Sequence, residues 1–212
     1  MTRTYKVPTE PAETTRATVL FADMRGYTAI AERLPPAQVV PLLDEFFRIL
    51  GSATQAHGGE IFYMAGDGMM AGFGVREADR RRAREALAAG RAMLEGFASV
   101  AARWQRDMSI VAGVGVGLHL GEVALGFLGP PGKKFMTMVG DTANVAARLC
   151  GRARTGELLL SSVVAAALHD DVRIADPAGV SIPFLQLPQF ALRGRGALLD
   201  IWCVPARERL TL

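Results

Sequence analysis

Cysteine is scarce in this chain: Cys150 and Cys203 are the two in 212 residues, far apart and without Cys-x-x-Cys spacing. That pattern points to reduced, packed thiols in a reducing compartment, the cytoplasm, rather than to a disulfide framework. Histidine is equally sparse. His57, His119 and His169 are scattered, so neither metal-ligand spacing nor a Ser/His/Asp or Cys/His set emerges. Charge of one sign is missing too. With 24 Lys and Arg against 21 Asp and Glu the net charge is +3, far from the basic stripe of a nucleic-acid binder. No apolar run reaches the roughly 18 residues of a membrane span; the longest candidate, Leu158 to Leu168, contains two serines. The polar, Pro/Thr-rich start, Met1 to Arg16, lacks the apolar segment of a signal peptide and reads as a flexible leader.

What the chain does have is regular alternation of strand and helix signals, which indicates an α/β or α+β sandwich. Residues 17–23 read as a buried strand. A helix is expected from about Gly26-Tyr27 to before Leu34, and a second with Val39, Val40, Leu42, Leu43, Phe46, Phe47 and Leu50 on its apolar face, ended by His57-Gly58-Gly59. Gly66-Asp67-Gly68 between two apolar runs predicts a hairpin of 60–65 with 69–73. A long helix is expected over 77–104, its basic run Arg80 to Arg84 on a solvated face. Ile110 to Leu120 and Glu122 to Leu128 read as a strand pair turned at Gly121. Then come a strand at 135–139, a helix capped by Asp141 and running to about Arg152, a strand at 157–160, and a serine-capped helix over 161–169. An irregular stretch, 170–189, precedes two closing strands, 190–193 and 199–204.

Three groups of residues could carry chemistry. Asp23 ends the apolar run Thr18-Val19-Leu20-Phe21-Ala22, and Asp67 sits in a tight turn between apolar segments. A carboxylate there needs a partner or a cation, and two at neighbouring strand ends suit Mg²⁺. The competing reading is a helix cap and an ordinary turn. Asn144 and Arg148 are four apart on a helix and share a face, able to hold a ribose and a phosphate, or to be merely a surface arginine and a helical asparagine. Arg193-Gly194-Arg195 suits polyphosphate by its guanidinium forks, or forms a solvated turn. Two glycine-rich stretches are decoys. Gly113-Val114-Gly115-Val116-Gly117 lies inside a strand pattern and opens no helix. Gly132-Lys133-Lys134 lacks the earlier glycine and the following Ser/Thr of a phosphate loop.

In this order, the segments Phe21-Ala22-Asp23-Met24-Arg25-Gly26-Tyr27, Gly66-Asp67-Gly68-Met69-Met70, Gly117-Leu118-His119-Leu120-Gly121-Glu122-Val123 and Val139-Gly140-Asp141-Thr142-Ala143-Asn144-Val145-Ala146-Ala147-Arg148-Leu149 resemble the catalytic domain of the class III adenylate/guanylate (nucleotidyl) cyclases. The resemblance implies an α+β fold with a ferredoxin-like βαββαβ core, an antiparallel-rich sheet and flanking helices, over 17–207. It implies a homodimer with shared active sites, converting a nucleoside triphosphate to a 3′,5′-cyclic nucleotide and pyrophosphate. Asp23 and Asp67 would bind two Mg²⁺ or Mn²⁺ ions joined by the carbonyl of Met24. Backbone amides around Arg25, Gly26 and Tyr27 would receive the triphosphate, with Arg193 as a further phosphate ligand. Asn144 would orient the ribose and Arg148 stabilise the pentavalent phosphorus, both from the partner subunit's copy of the helix.

Base choice in that family rests on two positions, occupied here by Tyr63 and Thr137. Threonine at the second resembles a bacterial adenylate cyclase subgroup. Tyrosine replaces the usual lysine of adenylate cyclases and is broad enough to shorten the base pocket. The expectation is ATP to cyclic AMP. The alternatives are a pyrimidine cyclase making cyclic UMP or cyclic CMP, as in bacterial antiviral signalling, and a catalytically weak nucleotide sensor.

Overall fold

A computed structural model describes residues 12–76, 82–169, 184–191 and 198–205. The element order is β1 (Glu13–Arg25), α1 (Tyr27–Arg33), α2 (Pro36–Ala56), β2 (Glu60–Ala65), β3 (Gly68–Phe73), α3 (Arg82–Met108), β4 (Gly113–Leu128), β5 (Phe135–Val139), α4 (Asp141–Arg152), β6 (Glu157–Ser161), α5 (Ser162–His169), β7 (Leu185–Ala191) and β8 (Leu198–Pro205). The sheet runs β2-β3-β1-β4-β6-β8-β7, with β5 added to the far half of β4. The first four strands in that order are antiparallel neighbours and form the βαββαβ core. The β4–β6 pairing is parallel.

Alternation along β1 sorts the molecule into layers. Leu20, Ala22 and Met24 join the main core with Phe46 and Leu50 of α2 and Phe97 and Trp104 of α3. Phe97 meets Phe46 and Trp104 edge-on, with centroids 5.1 and 5.3 Å apart, a favourable aromatic geometry. The Trp104 indole N–H donates to Glu45 at 3.0 Å. The other face of β1, carrying Ala17 and Val19, packs against Ala143 and Ala146 of α4.

The glycine-valine alternation of β4 explains how close α4 comes. Val114 and Val116 enter the main core, while the glycines between them face α4. A Cβ on Gly117 would lie 2.2 Å from the Cys150 amide nitrogen and 2.4 Å from the Ala146 carbonyl oxygen. The helix therefore touches the strand backbone to backbone, a close approach of the kind a strand glycine permits.

Three expectations are corrected here. β4 is one 16-residue strand with no turn at Gly121; a Cβ there would sit 2.5 Å from the Thr142 hydroxyl, so this glycine admits the start of α4 rather than reversing the chain. Asp141 does not cap α4 but is its first residue, after Gly140. Ser161 ends β6 and its hydroxyl meets His119 Nδ1 at 2.7 Å, so it does not serve as the cap of α5. Some boundaries also differ: β1 begins at Glu13, α3 runs to Met108, and β7 begins at Leu185. No described helix is long and apolar enough to cross a membrane.

Gly117→Ala is expected to cost about 3 kcal/mol by overpacking against backbone. Gly151→Ala, on α4 with nothing within 4 Å of its Cβ position, should be neutral or stabilise by up to about 1 kcal/mol. Urea unfolding of both variants checks the pair, and equal effects would contradict the close approach.

Candidate active site

Asp23 lies near the end of β1, directly between two glycines in register: Gly68 on β3 and Gly115 on β4. No cross-strand side chain in register crowds its carboxylate. A Cβ on Gly68 would be 3.5 Å from Asp23 Oδ1, so that oxygen leans toward the β2–β3 turn. The turn holds Asp67, with Gly66 in the left-handed region at φ 61°, as its Gly-Asp-Gly chemistry demands. It is tied to β1 by the Met24 amide, which donates to the Asp67 carbonyl at 2.9 Å. Met24 itself buries its side chain in the main core, leaving its main chain beside the two aspartates.

The electrostatics single the pair out as a candidate site. Burial raises the Asp23 carboxyl above the ordinary value, the Asp67 charge raises it further, and Arg25 offsets this only in part. Two like charges thus face each other with too little positive charge around them, an arrangement a divalent cation would relieve. Among the described residues no cluster of three or more His, Cys, Asp or Glu forms. Two carboxylates with a main-chain carbonyl still fit Mg²⁺, which keeps waters and takes substrate phosphates as its remaining ligands.

The Arg25 side chain does not face an open phosphate site. Its Nη1 binds the Asp23 carboxylate, Nη2 donates to the Cys150 carbonyl, and Nε donates to the Ala153 carbonyl at 2.9 Å. What remains for a triphosphate here is main chain. Gly26 turns the chain at φ 90°, and a Cβ there would lie 2.5 Å from the Val111 carbonyl oxygen. The first-turn amides of α1 follow directly, without intrahelical partners. Tyr27 packs its ring on the main core.

Asn144 and Arg148 share the exposed face of α4, opposite the face bearing Val145, Ala146, Leu149 and Cys150. In one chain they turn away from the Asp23–Asp67 pair, which lies against the buried side of the helix. Tyr63 is 48% exposed on β2, opposite Met70, which is in turn opposite Phe21. Thr137 is buried on β5, a strand that passes alongside β2. Arg193 lies outside the described residues. Cys150 is no nucleophile, because burial pushes its thiol up to about 12. A cavity of about 770 Å³ opens between Glu13, Glu60, Arg76 and Phe127 and includes none of these residues.

Sequence reasoning missed the Arg25 contacts and the glycines flanking Asp23. The one local signal was the spacing of Asp23 and Arg25, two apart on a strand and therefore on one face.

Residues 9–199 match the adenylate and guanylate cyclase catalytic domain family. Adenylate cyclase 1 of Rhizobium meliloti is 31% identical over 191 residues, covering 87% of this chain and 27% of that protein. Adenylate cyclase of Anabaena cylindrica is 32% identical over 148 residues, covering 66% and 28%. The chain thus spans about a quarter of the length of these curated relatives. Among solved structures, the adenylyl cyclase CyaB from P. aeruginosa superposes with a TM-score of 0.80 at 25% identity, covering 91% of this chain and 95% of that one. The guanylyl cyclase Cya2 gives 0.79 at 25% identity, covering 95% and 98%.

The raised Asp23 value fixes the sign of a stability test. Charge on Asp23 costs stability above its folded value and none below its unfolded one. Asp23→Asn should therefore raise the Tm of the metal-free protein at pH 7, by of order 1–2 °C for so exposed a group. The gain should vanish as pH falls through the carboxylate range. A Tm difference that stays constant from pH 7 to pH 3.5 would contradict the strained pair.

Proposed function

The chain belongs to the adenylate and guanylate cyclase catalytic domain family, and from that premise we propose that it cyclises a nucleoside triphosphate, ATP in the first place, to the 3′,5′-cyclic nucleotide with release of pyrophosphate. The observation that carries this is the Asp23–Asp67 pair, brought together by the Met24–Asp67 hydrogen bond and left short of positive charge. Two divalent ions held there would supply Lewis acidity, acidifying the ribose 3′-hydroxyl and neutralising charge on the departing pyrophosphate.

The chain's own residues do the positioning. Asp23, Asp67 and the Met24 carbonyl hold the ions. The main chain of Arg25, Gly26 and Tyr27 cradles the triphosphate. Asn144 orients the ribose, and Arg148 places a guanidinium where charge develops on the α-phosphoryl oxygens. Arg193 adds a further cation toward the phosphates.

The active unit is a homodimer. Asn144 and Arg148 point away from the aspartates of their own chain, so a second copy must supply them, and a two-fold axis then makes two sites. Exposed apolar side chains support such an interface: Tyr63 and Met64 on β2, with Phe127, Leu128 and Phe135 on the β4–β5 arm. Patches of this kind mark association surfaces. The same need for a partner accounts for the cavity lying elsewhere, since one chain presents only half of each site.

ATP is favoured by the curated relatives named adenylate cyclase and by Thr137. The exposed, broad Tyr63 favours a second reading, a pyrimidine triphosphate giving cyclic UMP or cyclic CMP.

Turnover with ATP, GTP, CTP and UTP in parallel, with Mn²⁺ and products identified by mass, decides between them. Asp67→Ala and Arg148→Ala should each lower kcat by about 10²–10³-fold, as loss of charge stabilisation at a transition state does. Mixed one to one, they should recover about a quarter of wild-type activity, because half the dimers are mixed and each mixed dimer carries one intact site. No recovery in proven heterodimers would rule out shared sites. Tyr63→Lys should raise ATP turnover relative to the other three nucleotides, and an unchanged profile would remove Tyr63 from the base pocket.

A further inference from the structure

Besides its bond to Asp23, Arg25 has contacts that neither the metal site nor the phosphate cradle uses. Its guanidinium occupies a slot above Gly115, where a Cβ would come within 2.6 Å of Nη2. From there one planar cation reaches three acceptors. It takes one oxygen of Asp23, the carbonyl of Cys150 in the last turn of α4, and the carbonyl of Ala153 at the end of that helix. The Cys150 carbonyl already accepts from the Ala153 amide at 3.0 Å, and its second lone pair faces Arg25; the last carbonyls of a helix carry its negative end, and a guanidinium fork suits two of them and a carboxylate together where an ammonium does not. The same α4 carries Asn144 and Arg148 on its outer face.

We propose that Arg25 is a positioning residue that couples the two half-sites of its own protomer. In the metal-free protein it holds Asp23 in the place of a cation and ties that carboxylate to the end of α4. When Asp23 turns to a divalent ion, Arg25 is repelled by the added positive charge and keeps only the α4 carbonyls. The end of α4 therefore senses whether the metal site of the same chain is loaded. On the dimeric reading above, on which this rests, Asp23 and α4 of one chain serve different active sites. Arg25 is then the side chain through which occupancy of one site reaches the ribose and phosphate residues of the other.

The experiment uses Mn²⁺ alone as the probe of binding and Mg²⁺ for hydrogen exchange, on the full chain. Arg25→Gln removes the competing cation, so it should bind Mn²⁺ about three- to tenfold more tightly than wild type, the worth of a partly exposed ion pair. In wild type, saturating Mg²⁺ should change amide exchange at residues 149–154, and in Arg25→Gln this response should be lost. A purely structural staple of α4 would alter neither the Mn²⁺ affinity nor the Mg²⁺ dependence of exchange. Equal Mn²⁺ affinity in both proteins, or a surviving exchange response in the variant, overturns the proposal. If Arg25→Gln does not fold, Arg25→Lys decides. It keeps the charge beside Asp23 but cannot span both carbonyls, so affinity should stay within about twofold of wild type while the exchange response disappears. A retained response in the lysine variant overturns the coupling. Absence of Mn²⁺ binding by wild type is a different failure, and would overturn the cyclase reading together with this inference.

Discussion

The hydrogen bond from the Met24 amide to the Asp67 carbonyl is the constraint on which the rest depends. It fastens a hairpin turn to the end of a central strand and so forces two carboxylates into each other's field. Left alone they would separate into water. Here the sheet holds them, with Gly68 and Gly115 in register on either side of Asp23, the first lying beside Asp23 Oδ1 and the second making the slot that Arg25 fills. The strain shows in the raised Asp23 carboxyl, and the fold tolerates it because its stability lies elsewhere. The packed layer of Phe46, Phe97 and Trp104 beneath the sheet is fully buried and does not touch the pair. The candidate site thus lies on one face of the sheet and the main core on the other.

That division depends on β4. Its valines enter the core and its glycines let α4 descend to the backbone, so a single alternation serves both layers. The depth of α4 matters because the helix works on two sides. Its buried side offers carbonyls to Arg25, and its exposed side carries Asn144 and Arg148. A helix held a side chain's thickness further out could not make the first set of contacts, and its outer residues would shift by the same amount. Positioning errors of that size are costly where a reacting group must be aligned.

Much of this was legible in the sequence, and the parts that were not share a cause. The Gly66-Asp67-Gly68 hairpin, the helices α1, α2 and α4 and the position of Asp23 all follow from local signals: turn chemistry, apolar periodicity, and a carboxylate ending an apolar run. Gly121 was misread because a glycine within an apolar stretch has two physical meanings, a turn or a close approach, and the choice is made by Thr142 about twenty residues later. Ser161 was misread as a cap because its partner, His119, is 42 residues earlier. The Arg25 contacts span 125 and 128 residues and leave no trace in spacing alone. Local chemistry predicts elements; which long-range partner a polar group meets is decided by topology.

Topology also bears on the proposed homodimer. The aspartate pair sits on the α4 side of the sheet, against the buried face of that helix, while Asn144 and Arg148 occupy the opposite helix face. The α4 backbone, which approaches β4 closely at Gly117, separates those two faces. A two-fold partner resolves this without altering either chain, since the outward face of one α4 can meet the aspartates of the other. The arrangement has a consequence for control. On the proposed dimeric reading each chain donates to both sites, so any event that moves α4 against β1 would act on the aspartate half of one site and the Asn144–Arg148 half of the other. A change in how two subunits meet is then sufficient to alter both reactions at once, with no separate allosteric pocket required.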